Sequence, residues 1–249
     1  MNNILNSFKT KDSLSDKIWN NADSDNISDI KMDSQVKTHL LEIAQLFIES
    51  ANVEPIDVHD ITAVGSICNY NWSNYSDIDL HVIIDKSKLG DNQELVDEFL
   101  KTKKESFSNV HDLKIHGFDV ELYFQDITEP LESKGVYSVL YNKWVSEPTK
   151  DKNEFDRVAI LKKVKYFYNM FNKAKDLADV DAKIKAIDVL KDKIKKYRKA
   201  GLENNGEMGV ENMVFKYLRR IGFIEEVNDT KFELIDKKLS LENNKRIGF

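Results

Sequence analysis

Asp77-Ile78-Asp79-Leu80-His81-Val82-Ile83-Ile84-Asp85 is the stretch on which the reading of this chain turns. Side chains of a strand alternate between its two faces, so Ile78, Leu80, Val82 and Ile84 share one face. Asp77, Asp79, His81 and Ile83 share the other. A run this apolar reads as a buried strand. Two carboxylates at its mouth, at i and i+2, point the same way and repel each other unless a cation lies between them. A pair of idle, solvated aspartates is the bland alternative, and it fits poorly beside so apolar a run.

Upstream, Ile61-Thr62-Ala63-Val64 reads as a short strand ending at Gly65-Ser66, with ten residues between Ser66 and Asp77. Glycine lets the backbone approach a phosphate closely, and the Ser66 hydroxyl with the following amides can donate to phosphate oxygens. Alone, such a pair is usually only a turn. Downstream, Lys114 to Phe124 reads as one strand with Phe118, Val120, Leu122 and Phe124 on one face. Asp119, Glu121, Tyr123 and Gln125 lie on its polar face. Either Asp119 or Glu121 can supply a third carboxylate, as metal ligand or as general base. Magnesium, or manganese in its place, suits a site built from a few carboxylates plus phosphate oxygens.

The rest of the chain sets the frame. At 249 residues it is long enough for one large domain or two small ones, and three prolines favour long helices. A single cysteine, Cys68, excludes an internal disulfide, and the five histidines show no metal-ligand spacing. No run of about 18 apolar residues marks a membrane span, and the N-terminus lacks the charged and apolar regions of a secretory signal. A cytoplasmic protein is expected. Residues 1–150 carry 14 Lys/Arg against 26 Asp/Glu, and residues 151–249 carry 23 against 17. The C-terminal part is thus basic, net +6, which suits an anionic ligand or a merely solvated surface.

Residues 1–34 read as a loosely ordered arm docking through Trp19, followed by a helix over Val36–Ile48 capped by Asp33 or Ser34. A further helix runs from about Asn92 to Lys104, and residues 135–148 connect to a helical region. There, helices span Phe155–Leu177, Ala182–Lys199 and Gly209–Ile221, with a break at Gly201 and Gly206. Two domains are expected, 1–150 carrying the acids and 151–249 helical.

Gly65-Ser66, ten residues, then Asp77-Ile78-Asp79 resembles the signature of the DNA polymerase β-like nucleotidyltransferase superfamily. Ser76–His81, Val120–Asp126, Gly135–Ser138 and Glu211–Lys216 are similar to uncharacterised bacteriophage nucleotidyltransferases. The resemblance implies an α+β fold, with a mixed-sheet catalytic domain flanked by helices and a helical C-terminal part. It implies transfer of a nucleoside monophosphate from a nucleoside triphosphate such as ATP to a hydroxyl, with release of pyrophosphate. In that scheme Asp77 and Asp79 bind magnesium or manganese, and Gly65 and Ser66 hold phosphates. Glu121 is the third acid by resemblance to the phage sequences, while Asp119, flanked by Phe118 and Val120, matches other branches. A phage-encoded member would work in the host cytoplasm.

Lys114, and Lys216, Arg219 and Arg220 on the last clear helix, with Lys216 and Arg220 on one helical face, read as an exposed basic face or as triphosphate contacts. His81 reads as a hydrogen-bonded core histidine or a phosphate contact. Tyr70, Trp72 and Tyr75 read as base-stacking groups or core anchors. The basic face over Lys183–Lys199, opposite Ile184, Ile187, Leu190, Ile194 and Tyr197, reads as a guide for RNA or as a surface that serves solubility alone. The basic C-terminal half tilts the acceptor towards RNA such as tRNA. The competing readings are a catalytically silent nucleotide- or RNA-binding module of the same fold and an interaction protein with structural carboxylates.

Overall fold

The alternating run 78–84 becomes a central strand of a six-stranded mixed sheet in the computed structural model, which describes residues 2–52, 57–130, 133–150, 155–206 and 209–240. The elements in chain order are α1 (Asn2–Asn6), β1 (Trp19–Asn20), β2 (Lys31–Met32), α2 (Ser34–Ala51), β3 (Val58–Val64) and β4 (Ile78–Ile84). Then come α3 (Gln93–Val110), β5 (Lys114–Ile115), β6 (Phe118–Asp126), β7 (Val136–Ser138) and β8 (Lys143–Ser146). The last four are α4 (Arg157–Lys175), α5 (Val180–Asn205), α6 (Val210–Arg220) and α7 (Phe223–Leu239). Residue contacts divide the chain into Ser7–Lys152 and a second unit formed by Met1–Asn6 with Asn153–Phe249. The expected boundary at 150/151 abuts residues 151–154, which lie outside those described.

In the first unit the sheet order is β5-β6-β4-β3-β7-β8. β4 pairs parallel with β6 and antiparallel with β3, so the crossover from β4 to β6 needs a helix, and α3 supplies it. Ile78, Leu80, Val82 and Ile84 are fully buried, as the alternation demands. They join Leu122 of β6, Val36, Leu40, Ala44 and Phe47 of α2, and Val96, Leu100 and Phe107 of α3 in one core. Phe47 stacks on Phe124 at 4.3 Å and meets Phe107 edge-on at 5.2 Å. Each such side chain contributes about 1.5–3 kcal/mol by leaving water. α2 starts where Asp33 accepts from the amides of Gln35 and Val36, two bonds that also hold its carboxyl below the usual range.

Three expectations for this unit are corrected. Residues 114–124 form a hairpin and not one strand, because His116 and Gly117 both adopt positive φ (50° and 88°). Two such residues make the tight turn that matches the twist of paired strands. Residues 136–146 add β7 and β8 to the β3 edge of the sheet. The segment before α2 is no loose arm. Leu14, Ile18, Trp19, Ile30 and Met32 are buried in the core, and Trp19 stacks on Trp144 at 4.6 Å. Its indole donates to the Ile67 carbonyl at 2.9 Å. Sparse apolar residues among Asn, Asp and Ser hid how well each one is seated.

The second unit is helical, as expected. Asp156 and Asp179 cap α4 and α5 by accepting from Val158 and Ala159, and from Ala182. Ile160, Phe167 and Phe171 of α4, Ile187, Leu190 and Ile194 of α5, and Val214 and Leu218 of α6 are buried. Gly201 does not break α5. It lies inside the helix, where a Cβ would fall 2.2 Å from the Glu211 Cβ, so its smallness lets α6 approach. The chain turns only at Gly206. A further helix, α7, buries Phe223 and Val227 and was not expected from the pattern.

Candidate active site

The register between β4 and β6 places the acids. Paired residues of neighbouring strands present their side chains on the same face, and Asp79 lies directly across from Glu121. Asp77, two residues before Asp79, shares that face by alternation. One carboxylate oxygen from each of Asp77, Asp79 and Glu121 can be chosen so that all three lie within 4.8 Å of one another, and all three residues are half-buried. Ionised carboxylates at this spacing repel by about 3 kcal/mol per pair at an effective dielectric constant of about 20. A divalent cation removes that cost. An all-oxygen donor set with coordination sites left over for water or phosphate suits a hard ion such as Mg2+ or Mn2+.

Asp119 is not part of this group. It is 62% exposed beside the hairpin and pairs with Lys114, which also reaches Asp112 at 3.2 Å. Lys114 is thereby engaged at the hairpin. Lys216 and Arg220 lie one turn apart on α6, both half-buried, in the helical unit and not in the sheet unit that carries the acids.

The glycine-serine turn stands against the acids. β3 pairs with β4 so that Val64 faces Asp79, which brings Gly65 onto the carboxylate itself. A Cβ on Gly65 would lie 2.4 Å from Asp79 Oδ2, and its φ of 82° is one that other residues resist. The Gly65 amide donates to Ser133 Oγ at 3.4 Å. Ser66 opens a short 3₁₀ turn, Ser66–Cys68, and its hydroxyl meets that of Ser76 at 2.7 Å. Ser76 also accepts from the Ser73 amide at 2.9 Å. The two motifs are therefore tied by a hydrogen bond as well as by sheet pairing. Cys68 is fully buried behind the turn; burial, and then the charge of Asp79, pushes its thiol pKa well up. It is an inert packing residue.

Next to the acids on the same face come His81 and Tyr123, paired across the strands. His81 Nδ1 meets Gln125 Oε1 at 2.6 Å, which satisfies it as a partly buried histidine; burial lowers its pKa, against that hydrogen bond. A cavity of about 460 Å³ is lined here by Val64, His81, Tyr123, Gln125 and Ser133 among others. A second, of about 310 Å³, is lined by Lys104, Phe107, His111, Asp119 and Glu121 among others. Of the aromatic residues between the motifs, Tyr70 is buried, Trp72 donates to the Ser13 carbonyl at 2.9 Å, and Tyr75 is 43% exposed.

Two groups at the site are not among the expected site residues. The Tyr123 hydroxyl donates to Glu121 Oε2 at 2.5 Å. Its pKa is raised by burial first, then by Glu121 and the charges of Asp79 and Asp77. Lys104 of α3 places Nζ 3.3 Å from the centroid of the Tyr123 ring. Burial lowers its pKa, opposed by the charges of Glu121 and Asp79. Strand alternation already places Tyr123 beside Glu121. Nothing local separates Lys104 from Lys101 and Lys103; only the packing of α3 against β6 does.

Among the described residues no helix is long and apolar enough to cross a membrane. No protein-family model matches the chain, and no curated protein is detectably similar to it. Among solved structures it is similar to the STING-associated CdnE c-di-GMP synthase from Capnocytophaga granulosa. The identity is 14%, over 83% of this chain and 84% of that one, with a TM-score of 0.22, a likeness too slight to carry an argument.

Proposed function

We propose that this chain is a divalent-metal-dependent nucleotidyltransferase of the DNA polymerase β-like kind, moving a nucleoside monophosphate from a nucleoside triphosphate to a hydroxyl. The observation that carries the reading is the gathering of Asp77, Asp79 and Glu121 within 4.8 Å, from the mouth of β4 and the parallel strand β6, with Asp79 directly against Gly65. Three carboxylates brought this close beside a glycine turn form an oxygen donor set that suits a divalent cation and the phosphate it carries.

In this reading Asp77, Asp79 and Glu121 hold Mg2+ or Mn2+, which when bound would offset the charge of the phosphate oxygens. Gly65, lacking a side chain, lets the Asp79 carboxylate lie directly against the turn, and the Ser66–Cys68 turn offers its backbone to a phosphate. Glu121 accepts the proton of the acceptor hydroxyl. The hydroxyl oxygen then forms a bond to the α-phosphorus as the bond to the β-phosphate oxygen breaks, and pyrophosphate leaves. The acceptor we favour is an RNA hydroxyl, on the strength of the net charge of +6 over residues 151–249.

The test is pyrophosphate release from each triphosphate with magnesium or manganese, in the presence of total RNA or protein and with label on the α-phosphate. Metal-dependent release that labels RNA, and is lost in Asp79→Ala, is expected. Tight triphosphate binding with no product would make the protein a silent binding module. Full activity in Asp77→Ala/Asp79→Ala would end the reading.

A further inference from the structure

Glu121 differs from its two companions in reach. A glutamate has one more rotatable bond than an aspartate and so more freedom to lose before it can serve as a ligand. Asp79 is held against the Gly65 backbone. Glu121 is held instead by the Tyr123 hydroxyl, which donates to Oε2 at 2.5 Å from two residues along β6. A carboxylate has two oxygens, so this bond leaves Oε1 for a cation.

The tyrosine itself is fixed from two other elements. Lys104 of α3 sits 3.3 Å from the ring centroid, and His81 of β4 packs on the ring with centroids 5.0 Å apart. α3 is in turn anchored by Val96, Leu100 and Phe107 in the core. The direction of the hydroxyl therefore follows from the packing of α3, β4 and β6 together. Groups that hydrogen-bond a metal-ligating carboxylate set its orientation, and losing one typically costs about 10–100-fold in metal affinity.

We propose that Tyr123 is a positioning residue for the third acid, its ring clamped by Lys104 and His81 so that its hydroxyl presets the Glu121 carboxylate for a divalent cation. The proposal rests on the metal-centre reading above and adds a residue outside the carboxylate motif.

The experiment is a Mn2+ titration of the full chain, followed by electron paramagnetic resonance without nucleotide. It compares wild type, Tyr123→Phe, Glu121→Gln and the double variant. Phenylalanine keeps the ring and its contact with Lys104 and removes only the hydroxyl. Tyr123→Phe is expected to weaken Mn2+ binding about 10-fold, with a metal-free melting temperature close to that of wild type. In the Glu121→Gln background the same change is expected to cost nothing further, because Tyr123 acts through Glu121. Equal affinity in wild type and Tyr123→Phe overturns the proposal and leaves the metal centre standing. An equal loss in both backgrounds also overturns it, assigning the effect to general packing. Absence of Mn2+ binding by wild type sinks the metal centre itself. In turnover, Tyr123→Phe should raise the metal concentration needed for half-maximal rate while kcat at saturating metal is kept.

Discussion

Gly65 and Asp79 touch: a Cβ on Gly65 would lie 2.4 Å from Asp79 Oδ2, closer than two such atoms can stand. The contact follows from sheet pairing, since Val64 faces Asp79 across β3 and β4. Gly65→Ala must therefore move either the turn or the carboxylate, and it also forces alanine to a φ of 82°, a strain of about 1–3 kcal/mol. The expected outcome is a fall in metal-dependent pyrophosphate release of at least about 10-fold, together with a lower melting temperature. Unchanged turnover in Gly65→Ala would show that the contact has no part in the reaction.

The two candidate third acids predict different mutants. Glu121→Gln should lower turnover by at least about 100-fold, the scale of a lost general base. Asp119→Asn removes an exposed pair with Lys114, worth about 0–1 kcal/mol, and should leave both turnover and melting temperature near wild type. Steady-state rates of the two variants at saturating magnesium decide the matter, and a larger loss in Asp119→Asn would reverse the assignment.

Trp19 reaches the site from outside it. Its indole donates to the Ile67 carbonyl inside the Ser66–Cys68 turn, and its ring is stacked on Trp144. Trp19→Ala should cost about 3–5 kcal/mol, the usual penalty for emptying such a core position. Trp19→Phe keeps much of the packing and loses the hydrogen bond to the turn. We expect it to fold and to bind triphosphate more weakly, as calorimetry would reveal. Triphosphate affinity equal to wild type in Trp19→Phe would confine Trp19 to a packing role.

Asp60 predicts a pH dependence of stability. Its carboxyl is partly buried in β3, and burial raises its pKa above the ordinary 3.8, against hydrogen bonds from Ser138 Oγ and the Ile61 amide. With the folded value above the unfolded one, the folded state binds more protons between them. Stability attributable to this group is present below about pH 3.8 and is lost as pH rises through the raised value. Asp60→Asn removes that loss and can still accept both hydrogen bonds. Thermal unfolding should show the variant more stable than wild type at about pH 7, with the gap closing by about pH 3.5. A variant no more stable at neutral pH would contradict the sign.

Local pattern alone determined the fold class. The alternation of 78–84 specified a strand buried on one face, and apolar residues at helical spacing marked α2, α4, α5 and α6, because periodicities of 2 and 3.6 are properties of the backbone. The same alternation put Asp77 with Asp79, and Asp119 with Glu121, on common faces. It could not separate Glu121 from Asp119, because both obey it equally. That distinction needed the parallel register of β4 on β6, which sets Glu121 opposite Asp79 and leaves Asp119 at the hairpin with Lys114. The seating of Trp19 and the clamp of Lys104 and His81 on the Tyr123 ring were likewise decided by tertiary structure. Each depends on groups far apart in the chain, whose contact is set by how strands and helices pack and leaves no period in the sequence.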